Sequence, residues 1–228
     1  CSYLFYKSFK DSRAVAYQKA PEWHYKLPRG EHIESMAQGS GWVAAVTSVG
    51  YLRIFSSEGV QLAVLHQPAH IVTMTGYENL LALFSHDAHP IFEQQMVGFQ
   101  LIDCGAPVNG GARQFKTVHQ GRAPMLRGGN LDWVGFSEEG QLLTYSDEGV
   151  LSQLSLATGW WSPVFNIKSL PDGEYLRRIW IVGAVDNELL AITLPDGYDQ
   201  PTPKMRQLTR RLKFAVAVIP ADPRAQEP

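Results

Sequence analysis

Apolar positions in this chain fall in short runs separated by polar or glycine turns, a spacing that predicts strands rather than helices. Trp42-Val43-Ala44-Ala45-Val46-Thr47 is followed by Tyr51-Leu52-Arg53-Ile54-Phe55. A Ser-Ser-Glu-Gly turn at 56–59 then leads to Val60-Gln61-Leu62-Ala63-Val64-Leu65. Arg53 lies between Leu52 and Ile54, and Gln61 between Val60 and Leu62, so these strands are expected to have one wetter face.

The same order returns along the chain. Ile71-Val72-Thr73-Met74 leads to Leu80-Leu81-Ala82-Leu83-Phe84 and then to Val97-Gly98-Phe99-Gln100-Leu101-Ile102. Later copies open at Leu131-Asp132-Trp133-Val134 and at Arg178-Ile179-Trp180-Ile181. The first strands of the units are expected near Ile33, Ile71, Pro124 and Arg178, roughly 38–54 residues apart, which brackets the ~40–50 residues of a four-stranded propeller blade. The two Ser-x-Glu-Gly-Val turns, 56–60 and 146–150, are assigned to the same place in their units, between third and fourth strands. A glycine there supplies the positive φ of a tight hairpin. Trp42, Trp133 and Trp180 are assigned to equivalent second strands as large core anchors. Tyr3-Leu4-Phe5-Tyr6 and Trp23 to Leu27 supply the outer strands of a further unit, and 214–219 a last strand. The fold expected is all-β, a β-propeller of short four-stranded antiparallel blades, with a sandwich or barrel of similar size as the alternative. Six blades would leave the ring short of residues.

Composition narrows the function. The chain has 228 residues, 45% hydrophobic and 18% charged, with a formal net charge of -2, which suits one large β domain and not a dedicated nucleic-acid binder. Fourteen prolines and twenty glycines leave little room for long helices. Two cysteines, Cys1 and Cys104, make neither a disulfide framework nor a zinc site, which fits a reducing compartment. No apolar run approaches the ~20 residues of a membrane-spanning helix, and no membrane partner is expected. The chain starts without Met, in mid-pattern, as a piece of a longer protein would.

Catalytic chemistry finds little support. His86-Asp87-x-His89 is the clustered histidine motif, but i and i+3 point to opposite faces of a strand, so no metal ligand is assigned. Gly135-Phe136-Ser137-Glu138-Glu139-Gly140 has one residue too many for a nucleophile elbow. Gly110-Gly111 and Gly128-Gly129 lack the Lys-Ser/Thr of a phosphate loop. No catalytic residue and no cofactor are expected. Two features suggest binding instead. Lys204, Arg206, Arg210, Arg211 and Lys213 occur with no acidic residue from Gln200 to Ala221, a patch for nucleic-acid phosphates or an acidic partner, or else a solvated loop before the last strand. Trp160 and Trp161, between Gly159 and Pro163, are candidate interface anchors, with burial against the next blade as the alternative.

From Gly39-Ser-Gly-Trp42 through Leu131-Asp-Trp-Val-Gly-Phe-Ser-Glu-Glu-Gly140 to Trp180-Ile-Val-Gly183 and Ala215-Val-Ala-Val218, the chain resembles a known family in register. It looks like the SepB propeller of the acidic nucleoplasmic DNA-binding protein, or WD-repeat and HMG-box DNA-binding protein, family, with its fungal chromosome transmission fidelity factor. The likeness implies a six-bladed propeller over 1–220 with a linker-like tail at 221–228. It further implies a nuclear, non-enzymatic homotrimer that couples the replicative helicase, through GINS, to DNA polymerase α-primase and other clients. An amino-terminal WD40 propeller and a client-binding helical appendage, both part of that family, are missing from this stretch. Weak or indirect DNA contact is compatible with the basic run. The competing reading is a propeller that binds a small molecule, or catalyses, through its central channel.

Overall fold

Among the described residues the apolar runs fold into seventeen strands, all antiparallel in their pairing. The computed structural model describes residues 3–7, 22–67, 69–91, 94–105, 114–125, 129–170, 178–195, 197–202 and 209–214. Two compact units are present, residues 1–89 with 96–122, and residues 90–95 with 123–228.

In the first unit, β1 (Tyr3–Lys7) pairs with β2 (Glu22–Lys26). A four-stranded meander follows: β3 (Ile33–Gly39), β4 (Trp42–Thr47), β5 (Tyr51–Ser56) and β6 (Gln61–His66). The next meander contains β7 (Ile71–Tyr77), β8 (Leu80–Ile91), β9 (Gln94–Asp103) and β10 (Lys116–Arg122). The second unit holds β11 (Leu131–Phe136), β12 (Leu142–Ser146), β13 (Val150–Leu154) and β14 (Trp161–Asn166) in order. Its other sheet has β15 (Ile179–Val185), β16 (Glu188–Thr193) and β17 (Thr209–Lys213). Among the described residues the one helical element is a 3-10 turn, Ile167–Ser169. Successive four-stranded meanders stacked face to face are the blades of a β-propeller, the fold class of this chain. Five sheets are formed by the described residues.

Stacking explains the burial. One face of the β3–β6 sheet packs Trp42, Ala44, Val46, Leu52 and Ile54 on Met74, Leu81, Leu83 and Ile102 of the next sheet. Its other face packs Ala45 and Phe55 under Leu4, Trp23 and Tyr25 of the β1–β2 pair. Covered on both sides, β4 and most of β5 are buried without alternation. That overturns the wetter face expected at Arg53, which is buried; its charge is met by Glu31 instead. In the second unit Leu143, Tyr145, Leu151 and Phe165 pack on Ile179, Ile181, Leu189 and Leu212 in the same manner.

First strands run close together, β3 beside β7 and β11 beside β15. A Cβ at Gly76 would sit 2.2 Å from the Gln38 carbonyl, so this position excludes a side chain. Each first strand also carries a β-bulge, after Ile33, Ile71 and Leu131 and again after Ile181.

Latches join neighbouring sheets at the first hairpin. In the first unit the Ser40 amide donates to the Glu78 carbonyl at 2.6 Å, and the Trp42 indole N–H donates to the same oxygen at 2.7 Å. In the second unit the Glu138 amide donates to Ala184, and Glu139 accepts from the Asp186 amide at 2.8 Å.

Three expectations shift by a strand. The first strand expected near Pro124 begins at Leu131, because the Met125 amide folds back onto the Ala123 carbonyl and no ladder starts there. The turn at 56–60 does join third to fourth strands, but 146–150 joins second to third. Trp133 and Trp180 therefore lie on first strands, not second; Trp133 is half-buried and Trp180 is 44% exposed, so Trp42 alone of the three is the expected buried anchor.

Candidate interaction surfaces

Trp160 closes the β13–β14 connection. The Thr158 and Gly159 amides both turn back onto the Ser155 carbonyl, and the Ser155 amide donates to the Trp160 carbonyl at 2.9 Å. This tight loop holds the Trp160 ring 77% exposed, with Leu156 exposed in the same turn. An ordered backbone presenting a bare indole has the makeup of a binding hot spot, since little entropy is lost when a partner covers it. Trp161 is different: it begins β14 opposite Leu154 and is half-buried.

The basic run is partly strand. Arg210, Arg211 and Lys213 lie on β17, which pairs with β16, so the loop expected before a strand at 214–219 is not what they form. Alternation along Thr209–Lys213 turns Leu212 into the core and leaves Arg211 and Lys213 exposed. Charged residues on an outer strand also oppose edge-to-edge pairing with other chains. Arg211 donates to Glu188 at 3.2 Å. Lys204 and Arg206 lie outside the described residues, as do 215–219 and the tail 221–228.

Sequence reasoning missed a charged cleft between β11 and β15. Arg178, half-exposed just before β15, donates to Asp199 at 2.6 Å and approaches Asp132 at 3.7 Å. Trp133, Tyr145 and Trp180 complete its walls. Burial raises the Asp132 carboxyl above its ordinary value, with Arg178 pulling the other way. Burial likewise raises the Tyr145 phenol, and the nearby Asp132 charge adds to the effect. At about 60 Å³ the cleft is far below the roughly 300–1,000 Å³ of a small-molecule site. In the sequence Arg178 reads as a strand start. Its partners lie at positions 132 and 199, and no short-range motif links them.

His86 and Asp87 are exposed on β8, and the His89 side chain lies outside the described residues. Among the described residues no three His, Cys, Asp or Glu side chains converge as a metal would require. Cys104 is buried and forms no disulfide among the described residues.

Relatives place the chain. Protein ENHANCER OF LHP1 1 of Arabidopsis thaliana is 35% identical over 208 residues, covering 89% of this chain and 20% of that protein. WD repeat and HMG-box DNA-binding protein 1 of Homo sapiens is 31% identical over 173 residues, covering 75% of this chain and 15% of the relative. The chain thus spans a fifth or less of the length of these curated relatives. Among solved structures, the Cps50 (Swd1) β-propeller domain of Myceliophteria thermophila superposes with a TM-score of 0.49 at 14% identity, covering 76% of this chain and 57% of that one. Residues 1–218 match the family described as minichromosome loss protein, Mcl1, middle region, and the chain belongs to that family.

Proposed function

We propose that this chain is part of a nuclear, non-enzymatic replication adaptor. In this reading it forms a homotrimeric hub that couples the replicative helicase, through GINS, to DNA polymerase α-primase and other clients. The observation that carries the reading is the match to the Mcl1 middle region over residues 1–218. The names of the relatives, with their WD repeat, HMG-box and DNA-binding descriptions, support a chromatin setting. The site chemistry agrees: the exposed Trp160 and Leu156 suit protein contact, and the charged cleft is too small for a metabolite.

Light scattering across a concentration series tests the proposal. A particle of three times 25.4 kDa supports the trimeric hub. A monomer at every concentration overturns that part of the reading.

A further inference from the structure

A second concave surface lies in the first unit, on one face of strands β8, β9 and β10. Gly98 of β9 is its floor. A Cβ there would sit 2.1 Å from the Asp87 carboxylate of β8, so that carboxylate lies directly over the bare glycine. On the other side Gly98 pairs with Arg122 of β10, and Gln100 pairs with Gln120 one row further along. Paired residues share a face of an antiparallel ladder, which puts both amides and both charges on the side where Asp87 lies. With Ser85 they line a cleft of about 430 Å³, within the range of ligand pockets. Asp87 and Arg122 are exposed, and neither makes a hydrogen bond or ion pair among the described residues. Gln100 Nε2 donates to the Thr117 hydroxyl at 2.8 Å, which holds its amide along one edge.

We infer that this cleft binds a small zwitterion, its ammonium group on the Asp87 carboxylate and its own carboxylate on the Arg122 guanidinium. The spacing follows from the sheet. Asp87 and Arg122 stand on β8 and β10, about 10 Å apart at the backbone, two strand spacings with the side-chain-free Gly98 between them. That gap keeps the two charges from closing on each other and leaves room for a short molecule to bridge them. Charge complementarity selects the occupant, because one ligand then neutralises both ends. The Gln100 and Gln120 amides offer donors and acceptors to its polar groups. Nucleic acid fits less well, since a single cation beside a carboxylate makes a poor phosphate site. An apolar ligand finds no apolar wall, because the lining residue Phe99 is 5% exposed. A neutral sugar would leave both charges unanswered. The site is complete within one chain, so it stands or falls apart from trimer formation.

The test uses the whole chain, with the glutamine side-chain amides followed by NMR. The probe is γ-aminobutyrate, with n-butylamine and butyrate as analogues that each keep one of its charges. The zwitterion is expected to shift the Gln100 and Gln120 amide resonances, and each analogue to bind about tenfold more weakly or worse. Asp87→Asn and Arg122→Gln, both at exposed positions, should each weaken γ-aminobutyrate about tenfold or more with unchanged melting. Gly98→Ala should weaken it as much, because the new methyl displaces the Asp87 carboxylate, and that exposed side chain has room to move without unfolding the sheet. Absence of amide shifts at millimolar γ-aminobutyrate overturns the inference, as does binding that n-butylamine or butyrate matches. Displacement of γ-aminobutyrate by equimolar sucrose assigns the cleft to neutral polyols and overturns it too.

Discussion

Arg53 and Glu31 form a two-pronged ion pair inside the first unit, with Nε to Oε1 at 2.6 Å and Nη2 to Oε2 at 2.7 Å. Gln61 accepts from Nη1 at 3.0 Å, and the Tyr51 ring lies 5.8 Å from the guanidinium. The pair ties the segment before β3 to the third strand of its sheet. Removing one partner strands the other charge in a low-dielectric site. Arg53→Met should therefore cost about 3–5 kcal/mol, read from the urea midpoint. Adding Glu31→Leu should recover much of that loss, because no buried charge is then left alone.

The same pair sets an acid sensitivity. The Arg53 hydrogen bonds, opposed by burial and aided by Thr47, hold the Glu31 carboxyl below its ordinary value. A lowered carboxyl pKa gives stability that is present above the unfolded value, about 4.3, and lost as pH falls through the folded value. Urea midpoints measured from pH 6 downward should fall less steeply in Glu31→Gln than in the parent.

Asp132 has the opposite sign. Its carboxyl is raised, chiefly by burial, so its contribution is fully present below the unfolded pKa and is lost as pH rises through the folded one. Asp132→Asn should gain stability relative to the parent between acidic and neutral pH. A midpoint difference that stays constant across that window would refute the assignment.

Trp160 contributes surface rather than core. Trp160→Ala should leave the melting temperature within about 2 °C, as expected of an exposed substitution. The same variant should lower self-association or partner binding at least tenfold by light scattering or titration if the indole is an anchor.

Gly149 carries a φ of +86°, and a Cβ there would sit 2.1 Å from the Ile167 Cγ2. Gly30 has a similar φ of +88° with open space around it. Gly30→Ala should cost the backbone strain alone, about 1–2 kcal/mol, whereas Gly149→Ala adds displacement of Ile167 and should cost more. Equal losses in thermal melts would count against the tight β13–β14 edge.

These positions also mark what was legible in the sequence. Strand runs and hairpin turns are local properties, so the all-β architecture and the strands beginning at Ile33 and Ile71 could be read directly. Placement within the repeat could not. Ser56 and Ser137 each close a hairpin with a glycine three residues on, yet one joins third to fourth strands and the other first to second. A turn sequence reports its own geometry and not its rank in the sheet, which is why Trp133 and the 146–150 turn were each displaced by a strand. Arg53 escapes a sequence reading for a related reason: its neighbours in sequence are one strand, while the face it shares with Ala45 and Phe55 is covered by β1–β2. Among the interface candidates, Trp160 could be singled out beside Gly159 but its exposure could not, and the Asp132–Arg178–Asp199 cleft spans positions too far apart for any motif.

The Trp42 latch has an evolutionary consequence. The indole of residue 42 is committed, while its acceptor is a backbone carbonyl at Glu78, with φ +44°. Any side chain that accepts that φ preserves the oxygen. Across diverging descendants, position 78 should drift among Gly, Asn, Asp and other turn-tolerant residues while position 42 stays nearly frozen. Two residues in direct contact would thus show little covariation, and the link between the two sheets would leave almost no trace in an alignment.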